Sequence, residues 1–386
     1  MQAPSVPSGL HRAFTLAVPL RRQGVCRHPF PAVRGTFSPL RRRVRLSPSP
    51  VACSALRPAS VAARCRWCRA TLNGGVNMPN WCANRLRVSG PEYHVKNARS
   101  LIEGGEGVPL YARAAAEGIQ LFLAGCAGLL RPVEATDYAS YPALVKGTGS
   151  DTPQNRAFTQ WVAQLRDGAE LTPEICNKLH ELWLASGLQR MTWSSLSAEQ
   201  QTVIAGLWQI KHGDWYWMRG NNGLSESWDC QCREDALPLQ ALPFDMLQLI
   251  PPRLDAEING YNGRLLHGVP DGFTDVVERC GTKWPHAHNL DVSHSGLITF
   301  DADFDTPWSP PSPDVLSALS ERYGVTVEHW YAESGSSYCG WAVYEAGCQT
   351  GECCDSLEWG DEEDEFGFSE VTGPAWIIDN VASYGG

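Results

Sequence analysis

Residues Leu297–Glu345, LITFDADFDTPWSPPSPDVLSALSERYGVTVEHWYAESGSSYCGWAVYE, spell a strand, a capped helix and a hairpin in one uninterrupted run. From Leu297 to Phe304, the residues Ile298, Phe300, Ala302 and Phe304 fall on one face and Thr299, Asp301 and Asp303 on the other, the period-two alternation of a half-buried strand. The ladder ends at Thr306-Pro307, because Pro307, Pro310 and Pro311 carry no backbone donor. Ser312-Pro313-Asp314 then supplies an N-cap, a proline at the first helical position and an early acid. The helix is expected to run to Arg322, with Val315, Leu316, Leu319 and Tyr323 as its apolar stripe and Gly324 as its stop. Val325, Val327 and His329 alternate with Thr326, Glu328 and Trp330, and Ser334–Ser337 turns the chain into a partner strand from Tyr338 to Tyr344.

Upstream, Asn84 to Val88 alternates as a strand, and Gly90-Pro91 opens a helix that carries Val95, Ala98, Leu101 and Ile102 toward a core. Gly104-Gly105-Glu106-Gly107 ends it. The chain is then helical in character to about Trp217: Thr152-Pro153, Thr172-Pro173 and Ser197 each cap an apolar-periodic run, the last with Gln200 as capping-box partner. Trp161, Leu165, Ile175, Leu179, Leu182, Trp183, Val203, Ile204, Leu207 and Trp208 form the stripes. The longest apolar run, Ile119 to Leu130, is too short to span a bilayer.

The segments FDTPWSPPSPDVLSALSERYG and YAESGSSYCG, together with NWCANRLRVSG (Asn80–Gly90), FDMLQLIPPRL (Phe244–Leu254) and CGTKW (Cys280–Trp284), resemble the YubB-type ferredoxin-like domain of plasmid and phage proteins of unknown function. The resemblance covers nearly everything after Met78. It implies an α+β fold: a ferredoxin-like antiparallel sheet with a helical insertion and an acidic C-terminal segment. It also implies a mobile-element origin, and it implies no activity. Cys280 stands where that family's pattern has Trp. The expected organisation is a first strand and helix over 78–104, a helical insertion over 105–235, the rest of the ferredoxin-like domain over 236–348 and the acidic segment over 349–386.

Residues 1–77 differ from the rest. They hold thirteen Arg and no Lys, Asp, Glu, Ile or Tyr, giving +13, whereas the remainder carries nineteen basic and forty-two acidic side chains, giving −23. An organelle transit peptide and a basic nucleic-acid-binding arm, with Arg41, Arg42, Arg43 and Arg45, both fit this composition. Translation upstream of a true start at Met78 also explains the missing Lys, Ile and Tyr. The expectation is therefore a disordered basic extension or a mis-assigned start. Cys65 and Cys68 have zinc-ribbon spacing but lack a second pair nearby, so they are read as chance.

Catalytic signatures are missing from the sequence: it has no GxSxG elbow, phosphate loop, HExxH or dinucleotide fingerprint. His286 and His288 would share a strand face with His294 across a turn, yet no third carboxylate or thiolate ligand joins them, and neither a metal nor a cofactor is expected. Cys230-Gln-Cys232 and Cys353-Cys354 are read as reduced thiols in a cytoplasmic protein with no membrane segment. The surplus of acids disfavours direct nucleic-acid binding after residue 78.

Two surfaces remain as candidates. Glu345–Gly386 contains eleven acids and no Lys or Arg, centred on Asp361, Glu362, Glu363, Asp364 and Glu365. Such a segment is ordinarily solvated, and its functional reading is an electrostatic lure for a basic host protein that handles DNA. Trp376-Ile377-Ile378 implies that the chain end docks back on the domain. The second candidate is a binding surface formed by Trp81, Asn84, Lys283, Trp284, Trp308 and Glu333, where the family-like motifs meet. The sequence thus points to a binding or interaction module, with an enzyme or small-molecule-binding protein using Lys283 and Glu333 as the alternative; structurally, those two residues could equally form an ion pair.

Overall fold

The computed structural model describes residues 80–385 except 106, 216–222, 232–240, 295 and 364–368. The extension 1–77 with Cys65 and Cys68 lies outside the described residues, as do Cys232, Asp364 and Glu365. β1 (Trp81–Ser89) opens the described chain, and α1 (Glu92–Ile102) follows with Val95, Ala98, Leu101 and Ile102 buried, as their spacing predicts. Helices then fill the stretch up to the second strand: α2 (Leu110–Cys126), α3 (Pro153–Arg166), α4 (Pro173–Ser186), α5 (Ala198–Lys211), α6 (Leu224–Cys230), α7 (Leu254–Asn259) and α8 (Gly272–Cys280). The hydroxyls of Thr152 and Thr172 cap α3 and α4, and Ser197 with Gln200 makes the capping box of α5.

α2 is buried along most of its length against α3, α4, α5 and α7, which explains why its sequence is apolar on nearly every side. Gly125 allows the closest approach: a Cβ there would lie 2.5 Å from Phe158 Cζ. No described helix is long and apolar enough to cross a membrane. Val203 departs from the expected stripe: it is exposed at the edge of the face on which α5 buries Ile204, Leu207 and Lys211.

The remaining elements are β2 (His288–His294), β3 (Thr299–Pro307), α9 (Pro313–Tyr323), β4 (Thr326–Glu333), β5 (Tyr338–Glu345) and β6 (Cys348–Ser356). With β1 they form a six-stranded antiparallel sheet ordered β2-β3-β1-β4-β5-β6. Its first four strands in chain order, with α1 and α9 as crossovers, make the βαββαβ unit of the ferredoxin-like fold. Ser312 caps α9 from its hydroxyl, Pro313 occupies the first turn, and Gly324 ends the helix in the left-handed conformation, as expected. Leu86, Val88, Phe300, Ala302, Phe304 and Val327 share one apolar core with Val95, Ile102, Val315, Leu316 and Leu319. Each Val, Leu, Ile or Phe among them contributes roughly 1.5–3 kcal/mol on burial.

The opposite face pairs charges in register. Arg85 lies across from Asp303 and Arg87 across from Asp301, each guanidinium donating to both carboxylate oxygens at 2.7–3.1 Å. Ile298 is a correction to the expected core face: it is 61 % exposed and Leu297 is 72 % exposed. The strand pairing with β1 starts at Thr299, opposite Ser89 where β1 ends, and beyond it Gly90 N–H donates to Ile298 O at 3.0 Å while the side chains of Leu297 and Ile298 stay exposed.

The described parts of the acidic stretch form strands and a short helix. β6 pairs with the open edge of β5, and β7 (Glu358–Glu363) and β8 (Ser369–Gly373) form a separate hairpin before α10 (Ala375–Ile378). Ile377 is fully buried against Trp330, Ala332, Cys339 and Leu357, and the backbone N–H of Ser334 donates to Tyr384 O at 2.9 Å. The chain end does dock back on the sheet. Cys82, Cys126, Cys176, Cys280, Cys339, Cys348, Cys353 and Cys354 carry free thiols, and Cys82, Cys176, Cys280 and Cys339 are buried.

Candidate ligand-binding surface

The motif residues meet at one end of the sheet, where β1 begins, β3 ends and α8 hands over to β2. Gly281 closes α8 in a left-handed conformation (φ +81°), and a Cβ there would lie 2.8 Å from the backbone nitrogen of Ser312. Only glycine lets the Gly281–Trp284 loop lie this close to the loop after β3. Thr282 Oγ1 donates to Pro307 O at 2.8 Å and Ser309 Oγ donates to Gly281 O, so the two loops are tied together.

That tie sets Lys283 between two indoles. Its Nζ lies 5.1 Å from the ring centroid of Trp284 and 4.9 Å from that of Trp308, within cation–π range of both. Trp308 is 44 % exposed and holds φ at +73°, an uncommon conformation for a bulky residue. Its backbone is pinned on both sides, the N–H donating to Asn80 O at 2.8 Å and the carbonyl accepting Tyr338 Oη–H at 2.9 Å. Trp81 packs 6.0 Å from Trp284 and 4.9 Å from His288, whose ring is 4.4 Å from that of His286. Phe273 stands edge-on to Trp308 at 6.2 Å and to Tyr261 at 5.7 Å, which continues the aromatic belt.

Asn84 and Glu333 lie elsewhere, in the sheet. Asn84 is 3 % exposed; its Nδ2 donates to Cys82 O at 2.8 Å and to Thr306 Oγ1 at 2.9 Å. Thr306 Oγ1 in turn donates to Ser309 O at 2.8 Å, and Ser309 reaches Gly281. Asn84 therefore sits under the surface as a support for its loops. Its Oδ1 is left to accept, so His329, 3.0 Å away, carries its proton on Nε2. Burial holds the His329 imidazole neutral, with its pKa pushed down to about 3.

Glu333 is 1 % exposed, and its two carboxylate oxygens take the backbone N–H groups of Gly335 (2.7 Å) and Ser336 (2.8 Å). It closes the β4–β5 turn. The ion pair with Lys283 does not form: among the described residues no carboxylate lies within salt-bridge distance of the Lys283 ammonium. Of the six candidate residues, four converge and two support from beneath.

The histidines belong to this end of the sheet. Burial, with His288 adding to it, lowers the pKa of His286 to about 4, and burial also lowers that of His288 against the pull of Asp305 across the ladder. His288 Nε2 is shielded from solvent and has no hydrogen-bond partner among the described residues. Among the described residues no set of three or more His, Cys, Asp or Glu is placed to hold a metal ion. His294 ends β2. On the acidic segment, Asp361 and Glu362 lie exposed on β7, and Glu363 is its last residue.

A family model described as a protein of unknown function (DUF1281) matches residues 108–284, and one described as the ferredoxin-like domain in Api92-like protein matches residues 287–372. The crystal structure of the api92 protein from Yersinia pseudotuberculosis superposes with a TM-score of 0.67 at 30 % identity, covering 73 % of this chain and 99 % of that one. This chain belongs to the DUF1281 family. Within the family, the uncharacterized protein YubB of Escherichia coli K12 is 44 % identical over 145 residues, 38 % of this chain and all of YubB. YubA of the same strain is 42 % identical over 162 residues, 42 % of this chain and 95 % of YubA. The two family models meet between Trp284 and Ala287, so Lys283 and Trp284 come from the first region, and His288 and Trp308 from the second.

Proposed function

We propose that this protein binds a small molecule at the indole-walled surface of Trp81, Trp284 and Trp308 around Lys283. The supporting observation is the Lys283 ammonium, held between two indoles with no carboxylate partner among the described residues, which leaves its N–H donors open to a ligand. The backbone conformation of Trp308 adds support, because a half-exposed indole held at φ +73° carries the kind of local strain that gathers at ligand sites. Asn84 is the positioning residue beneath, and Glu333 keeps the neighbouring turn closed.

The test is a small-molecule fragment screen by ligand-observed NMR on the full chain, repeated on a Lys283→Ala/Trp308→Ala double variant. Fragments that bind are expected to weaken at least tenfold in the double variant and to hold in an Asp361→Asn/Glu362→Gln control. Hits that ignore the double substitution, or an absence of hits, would contradict the reading.

The exposure of Asp361 and Glu362 on β7 favours a second reading, an acidic lure for a basic DNA-handling protein of the host. The resemblance to plasmid and phage proteins supports that setting. A basic protein captured from host lysate at low salt, released at high salt and lost in the Asp361→Asn/Glu362→Gln variant is its expected signature.

A further inference from the structure

Resting on the small-molecule reading above, we infer the chemical class of the ligand: a flat heteroaromatic ring that carries one anionic group, of the kind a nucleoside monophosphate presents. Three features of the surface specify the two halves of such a molecule. The indoles of Trp284 and Trp308 offer ring faces, and the second of these is exposed, so a planar ring can stack there. The Lys283 ammonium between them has no protein acceptor among the described residues, and an anion within a few ångströms of it would replace water with a charge-assisted hydrogen bond. His288 Nε2 is a shielded nitrogen without a partner among the described residues, of a kind that folded proteins rarely leave unmatched, and it lies one aromatic neighbour away from the same indoles.

The flanks limit the charge. Asp305 stands across the ladder from His288, while Asp303 and Asp301 further along the strand are neutralised by Arg85 and Arg87. Lys283 is the cation set among these indoles, enough for one anionic group, whereas a strand of nucleic acid draws its affinity from several neutralised phosphates. The surface therefore fits a mononucleotide better than a strand of nucleic acid.

The experiment titrates the full chain with AMP, UMP, adenosine, indole-3-acetate, inorganic phosphate and a single-stranded oligonucleotide, following indole fluorescence and calorimetry. A ring with an anion is expected to bind, with adenosine at least tenfold weaker than AMP and inorganic phosphate weaker again. AMP against indole-3-acetate tells a phosphate from a carboxylate. Lys283→Gln should weaken AMP or indole-3-acetate about tenfold while leaving adenosine unchanged, and Trp308→Ala should weaken all three. Adenosine binding as tightly as AMP, an oligonucleotide binding more tightly than AMP, or AMP affinity indifferent to Lys283→Gln would overturn the assignment. Where uncharged or cationic fragments bind in a Trp308-dependent way and these probes do not, the ligand class fails and the site stands. Where nothing binds in a Trp308-dependent way, both fail.

Discussion

Beneath the surface Asn84 and Glu333 are buried with both ends of their side chains hydrogen-bonded, whereas beside them, among the described residues, Lys283 lacks a carboxylate and His288 Nε2 lacks a hydrogen-bond partner. The residue types are equally polar in both places. The difference lies in saturation: a buried polar group that is fully partnered holds the fold, and one that is left open in an aromatic setting is available to something else. On this reasoning, the six residues that the motifs single out divide into supports and contacts.

The sharpest way to break that division is at Asn84. Asn84→Ala removes donors to Cys82 O and Thr306 Oγ1 and leaves the buried His329 Nε2–H without its acceptor. Denaturant unfolding should show a loss of about 3 kcal/mol, from two or three buried hydrogen bonds and one orphaned donor. A loss well under 1 kcal/mol would mean that Asn84 is no support.

His329 gives the comparison a pH axis. Its folded pKa of about 3 lies below the ordinary 6.5, so its contribution to stability is complete above pH 6.5 and is lost as pH falls toward 3, where the unfolded chain takes up a proton that the folded chain refuses. Asp245 works in the opposite sense, since burial raises its carboxyl from 3.8 to about 6 and the folded state keeps the proton. The informative measurement is therefore the difference between wild type and His329→Gln. The variant's stability should fall less steeply between pH 6.5 and 4, and parallel curves would show that His329 does not titrate as its burial demands.

Smaller effects follow toward the sheet end. Glu333→Gln keeps one neutral acceptor and sets an NH2 donor against the other backbone N–H, and should cost about 1–3 kcal/mol in thermal or denaturant unfolding. It should leave ligand affinity intact; a loss equal to that of Lys283→Gln would merge the two regions again. Lys283→Gln itself should change stability by no more than about 0.5 kcal/mol, as expected for a half-exposed residue without a buried partner.

The sequence shows the supports and contacts only as a group. Ser312-Pro313 and Gly324 announce α9, and Ser197 with Gln200 announces α5, because caps are local chemistry that neighbours in sequence decide. Phe300, Ala302 and Phe304 alternate visibly, but Ile298 continues the pattern past the point where β1 can pair with it. β6 is the converse: CQTGECCDS has no apolar alternation, and it becomes a strand because β5 leaves an open edge beside it. The convergence of Trp81, Lys283, Trp284 and Trp308 was readable from their motifs. The saturation of Asn84 and Glu333 was not, since it depends on Thr306, His329 and two backbone N–H groups that the fold brings in. The place of His288 beside Trp81 and Trp284 was equally hidden, because it depends on where β2 begins to pair with β3.

The most direct test of the ligand surface is a titration of the uniformly 15N-labelled full chain with AMP and indole-3-acetate, following the assigned indole Nε1–H resonances. The account predicts that Trp81, Trp284 and Trp308 shift together and saturably while Trp161, Trp183 and Trp215, buried among the helices, stay fixed. Shifts confined to the helical indoles, or three motionless resonances at Trp81, Trp284 and Trp308, would contradict it.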